Sequence, residues 1–326
     1  MAFVPTKRKA NVLKWVALIL VVLLAGIVFA ITRSPRWFPF ARELYHTHRK
    51  PVGIWVPPPA LQYRPNRNAI ISSVWTVNDT VPAAVLGHSI SRWTSAIYEE
   101  GGLTAESCAT VDMLLMHLPG AIEKESRERL EQIGWKLSQV DLVQVPRDTP
   151  RDRKFGFTKF RVFGLTEYDH ILLLDSNTLV VSRDVYNIFD NDLDFAGVAA
   201  RQIDRSVHQP IDSGVLYYRP SQDLAQFALS KVNSTEYPHK MGEQSLIGTF
   251  MRYATTHLPI EWNVRLESKK AWLNDWRSLQ SRFKILQYTV PNSFLEDRNA
   301  YNDTIEKDEV SLWWRIRSEM ESLHMP

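Results

Sequence analysis

A doubly wound α/β domain is the fold class this sequence predicts, and two observations predict it. From Ala69 onward, short apolar strands alternate with helices of mixed polarity, the order that builds a largely parallel sheet covered on both faces. One strand, residues 169–174 (DHILLL), is an almost unbroken apolar run, as a central strand buried on both faces must be.

The elements follow in order. Residues 69–77 (AIISSVWTV) read as the first strand, and 82–98 as a helix after a short turn. Residues 111–118 form a second strand, 123–133 a charged amphipathic helix, and 140–145 a third strand. Residues 157–165 read as helical and lead into the apolar strand at 169–174. In the tail, 306–324, Leu312, Ile316, Met320 and Leu323 recur at helical spacing beside Trp313 and Trp314. That pattern predicts a terminal helix packed on the domain, with a partner or membrane contact as the alternative. No internal repeat is present.

Before the domain lie two other segments. Residues 15–31 are apolar throughout apart from Gly26 and follow Lys7, Arg8, Lys9 and Lys14. At about 1.5 Å per residue that run spans roughly 25 Å, suited to a thin bilayer such as that of the ER or Golgi. It reads as a transmembrane signal-anchor after a cytosolic tail, residues 1–14; a cleaved signal peptide is the alternative, since Val28-Phe29-Ala30 resembles a cleavage site. Residues 32–68 hold seven of the eighteen prolines, including Pro57-Pro58-Pro59, which suits an extended stem. The body, 69–300 plus the tail 301–326, is then lumenal in a single-pass type II arrangement. Sequons at Asn78, Asn233 and Asn302 agree with that side of the membrane. The net charge of +3 comes without a long basic block, which argues against nucleic acid as a partner. Cys108 is the single cysteine, so no internal disulfide framework exists.

The apolar strand ends in Asp175-Ser176-Asn177. In open α/β sheets ligands bind outside the carboxyl ends of the strands, so an acid here reaches a ribose hydroxyl or a metal held on a diphosphate. Alone, this turn is a weak signal. Read with the neighbouring segments it becomes stronger. Residues 157–190 (FTKFRVFGLTEYDHILLLDSNTLVVSRDVYNIFD), Thr76-Val77-Asn78-Asp79 followed by Val85-Leu86-Gly87-His88-Ser89, Asp212-Ser213-Gly214-Val215 with Arg219-Pro220-Ser221, Gly242-Glu243-Gln244-Ser245-Leu246, and His257-Leu258-Pro259 with Asn263 occur in order. Together they resemble the glycogenin-like family of glycosyltransferases, family 8 of the retaining, UDP-sugar-using enzymes, over about residues 70–295.

The resemblance implies a Rossmann-like GT-A domain with a mixed, mostly parallel sheet, a nucleotide-sugar donor and Mn2+. It implies Asp175, with Ser176 beside it, at the donor ribose and the metal, and Asn177 at the main metal-ligand position. Thr76 and Asn78 would line the uridine pocket, which leaves Asn233 and Asn302 as the better glycosylation candidates. Lys159 would face the donor phosphates, with Arg151 or Arg153 as a second cation. Asp212 and Ser213 would face the donor sugar, and Glu243 and Gln244 would stand at the reacting centre. A departing nucleoside diphosphate takes negative charge, so the site must supply cations there and a carboxylate where oxocarbenium character grows.

The sequence also departs from the family. Asn177 replaces the usual second aspartate, and Gln287 stands at the position of the second metal ligand, a histidine, with Val290 and Ser293 where a glycine and a phosphate-binding lysine belong. Val81 stands near the place of the uracil-stacking aromatic, and Lys240 where many members carry aspartate. Two neutral amides for metal ligands, with Arg147, Arg151, Arg153, Lys154 and Lys159 ahead of the donor strand, predict a diphosphate held partly by side-chain cations and a metal that is weak or dispensable. The expected activity is transfer of a hexose-type sugar, with retention, to a glycan, protein or lipid acceptor in the Golgi or ER. A transferase-like protein that has lost turnover and serves as a Golgi scaffold is the alternative.

Overall fold

The computed structural model describes residues 67–100, 111–200, 211–251 and 253–324, all within one unit of the chain, Gln62–Pro326. The proposed membrane span and nearly all of the stem lie outside the described residues. Among the described residues, no helix is long and apolar enough to cross a membrane.

Seven strands form the main sheet: β1 (Asn68–Val74), β2 (Val111–His117), β3 (Lys136–Gln139), β4 (His170–Leu174), β6 (Phe195–Val198), β7 (Val215–Tyr218) and β8 (Thr256–Leu258), in spatial order 3-2-1-4-7-6-8. Every neighbouring pair is parallel except those made by β7, which runs against β4 and β6. A smaller sheet joins β5 (Thr178–Val180), β10 (Ile285–Gln287) and β9 (Val264–Arg265) in that order. The predicted mixed, mostly parallel sheet is present.

The apolar run at β4 explains itself through its two faces. Leu172 and Leu174 join one core, Ile171 and Leu173 the other, the period of two that strand geometry imposes. The first core is filled by α1 (Thr80–Glu100), α2 (Lys124–Ile133) and the smaller sheet, and the second by the 3₁₀ segment Gly156–Gly164 and α3 (Gln222–Lys231). Helix α2 ends at Gly134, whose φ of +113° is accessible to glycine without strain. Trp135 then turns back under α1 and donates from Nε1 to Ala83 O at 3.0 Å.

That indole lies where a side chain on Gly87 would go: a Cβ there would stand 2.1 Å from Nε1 and 2.9 Å from Ile133 Cγ2. Gly87→Ala is therefore expected to destabilise the fold by about 1–3 kcal/mol, the usual range for overpacking. Denaturant unfolding measures it; an unchanged midpoint would mean Trp135 moves aside freely.

Three details depart from the sequence reading. The third strand is Lys136–Gln139, not residues 140–145. The polar-looking KLSQ pairs with Leu114–His117 as an edge strand, which needs no apolar face. Val143 from the following loop instead packs among Phe157 and Phe160, and its N–H donates to Thr158 Oγ1 at 3.3 Å. The segment read as a helix at 157–165 is a 3₁₀ segment, Gly156–Gly164. The terminal helix α6 (Lys307–His324; α4 and α5 are Glu243–Phe250 and Leu273–Leu279) buries Val310, Trp313, Ile316 and Met320. Leu323 is 66 % exposed, because the buried stripe runs one turn earlier than the leucines suggest.

Candidate functional site

Strand direction assembles the site. β4 and β1 are parallel neighbours, so their carboxyl ends, Asp175 and the Thr76–Asn78 turn, share one edge of the sheet. β7 runs the other way, so the residues just before it, Asp212–Gly214, arrive at that same edge: Leu174 pairs with Val215, and Asp175 N–H donates to Gly214 O at 2.9 Å. Antiparallel insertion of β7 thus brings two segments 37 residues apart in sequence into direct contact.

Beneath this edge lies a buried polar cluster. Lys159, carried on the 3₁₀ segment among Phe157, Phe160 and Phe163, is 4 % exposed. Its ammonium ion-pairs with Asp175 Oδ1, lies 3.2 Å from Glu243 Oε1 and donates to Ser213 O at 3.4 Å. Ser213 Oγ donates to the same Glu243 oxygen at 3.0 Å. Glu243 opens helix α4 after Gly242, whose φ is +70°. Gly156 makes room for its carboxylate: a Cβ there would stand 2.1 Å from Oε2. Asp212, 3 % exposed, accepts from Gly214 N–H at 2.8 Å and from Arg265 Nη1 at 2.8 Å. The other arm of Arg265 pairs with Glu267.

Burial alone would depress the Lys159 ammonium, but Asp175 and Glu243 more than offset it and hold it above the ordinary lysine range. A lysine partner normally lowers its acid. Asp175 is nevertheless pushed up, because burial, with Glu243 and Asp212 as further carboxylates nearby, outweighs Lys159. Burial is the largest cause and the local charge adds to it: in this group two cations (Lys159, Arg265) face four carboxylates (Asp175, Asp212, Glu243, Glu267), an excess of two negative charges.

The remaining predicted residues divide into those that join this cluster and those that stand apart. Asn177 is adjacent: Tyr288 N–H donates to Asn177 O at 2.8 Å, and Asn177 Nδ2 donates back to Tyr288 O at 3.2 Å. Asn177 Oδ1 is buried without a partner among the described residues. Gln287 pairs in register with Thr178, and its amide lies against Gly214. Thr76 and Asn78 are exposed at the end of β1, where Asp79 Oδ2 accepts from Trp75 N–H, Thr76 N–H and Thr76 Oγ1. Ser176 and Gln244 are half-buried beside Asp175 and Glu243. Arg151 is exposed on the turn Arg151–Arg153, and it is Arg153 whose methylenes cover Gly242. Sequence reasoning missed Arg265, Glu267 and Gly156. The available signal was the alternation on β9, which sends Arg265 to the face opposite buried Val264.

Among the described residues, no group of three His, Cys, Asp or Glu side chains could hold a metal. Asp175 with the orphaned Asn177 Oδ1 nonetheless fits a hard cation, since amide oxygens ligate such ions and the surrounding net charge is negative. One anionic ligand makes that site weak.

No protein-family model matches the chain. It is 25 % identical over 143 residues to inositol phosphorylceramide glucuronosyltransferase 1 of Arabidopsis thaliana, covering 44 % of this chain and 25 % of that protein. It is 24 % identical over 175 residues to glycogenin-1 of Oryctolagus cuniculus, covering 49 % of this chain and 50 % of glycogenin. The chain thus spans no more than half the length of these curated relatives. Among solved structures, the galactosyltransferase LgtC superposes with a TM-score of 0.52 at 10 % identity, over 77 % of this chain and 95 % of LgtC. GlyE of Streptococcus pneumoniae gives 0.52 at 16 %, over 79 % and 64 %. These likenesses show a GT-A glycosyltransferase fold, and the curated relatives, glucuronosyltransferases and a glycogenin, agree with the resemblance to the glycogenin-like family 8.

Proposed function

We propose that this protein is a glycosyltransferase that moves a sugar from a UDP-linked donor to a glycan, protein or lipid acceptor, with retention of configuration. One observation carries the reading: buried Lys159, Ser213 and Glu243 meet half-buried Asp175 at the carboxyl edge of the sheet. A fully structural role would not require three polar groups to be buried against a fourth at the one edge where α/β sheets bind ligands.

In this reading Asp175 and Asn177 hold a divalent cation, which neutralises the diphosphate leaving group when bound. Glu243 and Gln244 lie at the start of α4, where a carboxylate stabilises positive charge growing at the anomeric carbon. Ser213 and Lys159 fix the carboxylate's orientation through hydrogen bonds to a single oxygen, Oε1. Thr76 and Asn78 offer polar groups to the nucleoside from the end of β1.

The charge balance bears on the metal. The sequence leaves room for a donor site that dispenses with it, but Lys159 is engaged by two carboxylates and the cluster carries excess negative charge. A dianionic diphosphate would be repelled unless a cation intervened. UDP binding is therefore expected to require manganese: in calorimetry, chelation should weaken UDP at least tenfold, and added Mn2+ should restore it. Undiminished affinity in chelator would instead assign the diphosphate to Arg151 and Arg153.

Placement in the Golgi or ER membrane, with this domain lumenal, belongs to the same proposal and is supported by residues 15–31 and the sequons. The scaffold reading has one feature in its favour, the neutral Asn177 and Gln287. UDP binding without donor hydrolysis or transfer would select it.

A further inference from the structure

Beside the cluster, three buried polar atoms have no hydrogen-bond partner among the described residues: Arg265 Nε, Gln287 Oε1 and Asn177 Oδ1. Native structures carry few such atoms, and each calls for an explanation. Asn177 has one in the cation. The other two belong to residues in register on neighbouring strands, so their side chains leave the small sheet on the same face.

That face closes one side of residues 212–214. Gln287 is 6 % exposed, and a Cβ on Gly214 would stand 2.2 Å from its Nε2 and 2.9 Å from Asp212 Oδ1. Arg265 reaches Asp212 Oδ2 from the same side. An unmade donor and an unmade acceptor therefore flank the segment that the family resemblance sets against the transferred sugar.

The chemistry of the gap narrows its occupant. A metal ion would suit Gln287 Oε1 but would meet the guanidinium. A phosphate or carboxylate would suit Arg265 Nε, but it would offer nothing to Gln287 Oε1 and would confront Asp212 and Glu267. A hydroxyl both accepts and donates, so neighbouring hydroxyls on an uncharged ring satisfy both atoms.

We propose that Arg265 and Gln287 form a reading site for hydroxyls of the transferred sugar, and that this site selects a neutral hexose-type donor over a uronate. The inference rests on the transferase reading above. The guanidinium charge is already matched by Asp212 and Glu267, so a sugar carboxylate would be a third anion on one cation. This separates the chain from the relatives whose names include glucuronosyltransferase, although they match part of its sequence. It also moves Gln287 from the metal to the sugar.

The test uses the full chain, UDP-glucose, UDP-galactose, UDP-xylose and UDP-glucuronate, and a manganese titration. UDP itself, which lacks the sugar, is the binding control. The unaltered protein is expected to turn over a neutral donor with kcat/KM at least tenfold above UDP-glucuronate. Gln287→Ala should lower kcat/KM for the preferred sugar ten- to a hundredfold while UDP affinity and half-saturating manganese stay constant. Arg265→Met is paired with Asp212→Asn so that no buried carboxylate is left alone, and this double variant should flatten the preference among the donors. Gln287→Ala breaks no ion pair and decides the matter if the double variant does not fold. Preference for UDP-glucuronate, or a raised manganese requirement in Gln287→Ala, would overturn the assignment. Unchanged sugar selectivity with UDP binding intact would sink the reading site alone, whereas no UDP binding by the unaltered chain would sink the transferase reading as well.

Discussion

Lys159→Met is expected to lower stability by about 3–5 kcal/mol and to abolish measurable transfer. The size follows from what remains. Asp175 and Glu243 share this one ammonium, and Glu243 is only 8 % exposed. Removing one partner of a buried ion pair leaves an uncompensated charge, which costs far more than the pair itself contributes. For a unit of this size the melting temperature should fall by roughly 10 °C, since 1 kcal/mol moves it by about 2–4 °C. The sign of the pH effect is also fixed. A raised folded-state pKa makes the lysine's contribution complete below the ordinary lysine value and lost only as pH rises through the higher one. The deficit of the variant should therefore be undiminished at neutral pH. Thermal and denaturant unfolding of both proteins check this, and a loss under 1 kcal/mol would mean that water already reaches the cluster.

Glu243→Gln should behave in the opposite way, with stability nearly kept and turnover lost. The amide retains an oxygen to accept from Ser213 Oγ and Lys159, so the hydrogen bonds survive while the charge does not. Loss of a charge positioned for the transition state typically lowers kcat by 10²–10³-fold. Gly156→Ala offers an independent route to the same defect. Its Cβ would come within 2.1 Å of Glu243 Oε2, so the carboxylate must shift although no charge has been altered. Both variants should retain UDP affinity within about twofold, because neither changes Asp175 or Asn177. Saturating-donor kcat and calorimetric UDP affinity separate the two effects. Full activity in Glu243→Gln would remove the carboxylate from the reacting centre.

Much of the site could be read along the chain because its residues sit where strands end. Asp175 follows the most apolar strand, and a strand that apolar must be central; in this fold, the residue after it faces the ligand edge. Gly242-Glu243-Gln244 opens a helix, a position visible from the glycine that precedes it. The third strand was misplaced because an edge strand such as Lys136–Gln139 has little to bury, so hydrophobicity points past it to Val143. The C-terminal stripe was misjudged at Leu323 for a related reason: periodicity reveals a face but not where its partner surface stops.

Taken alone, the order of residues determined the alternation of strands and helices, the location of the acidic turn and the resemblance that its motifs carry. These are local properties, encoded in spacing and polarity over ten or twenty residues. Which charges neutralise which was settled only by the tertiary structure. Lys159 reads as a free cation for phosphate until the antiparallel β7 brings Ser213, and α4 brings Glu243, to its ammonium. Arg265 carries no motif at all, and becomes part of the site because β9 lies beside β10 and faces Asp212. Electrostatic interaction depends on separation in space and on burial, and chain position specifies neither.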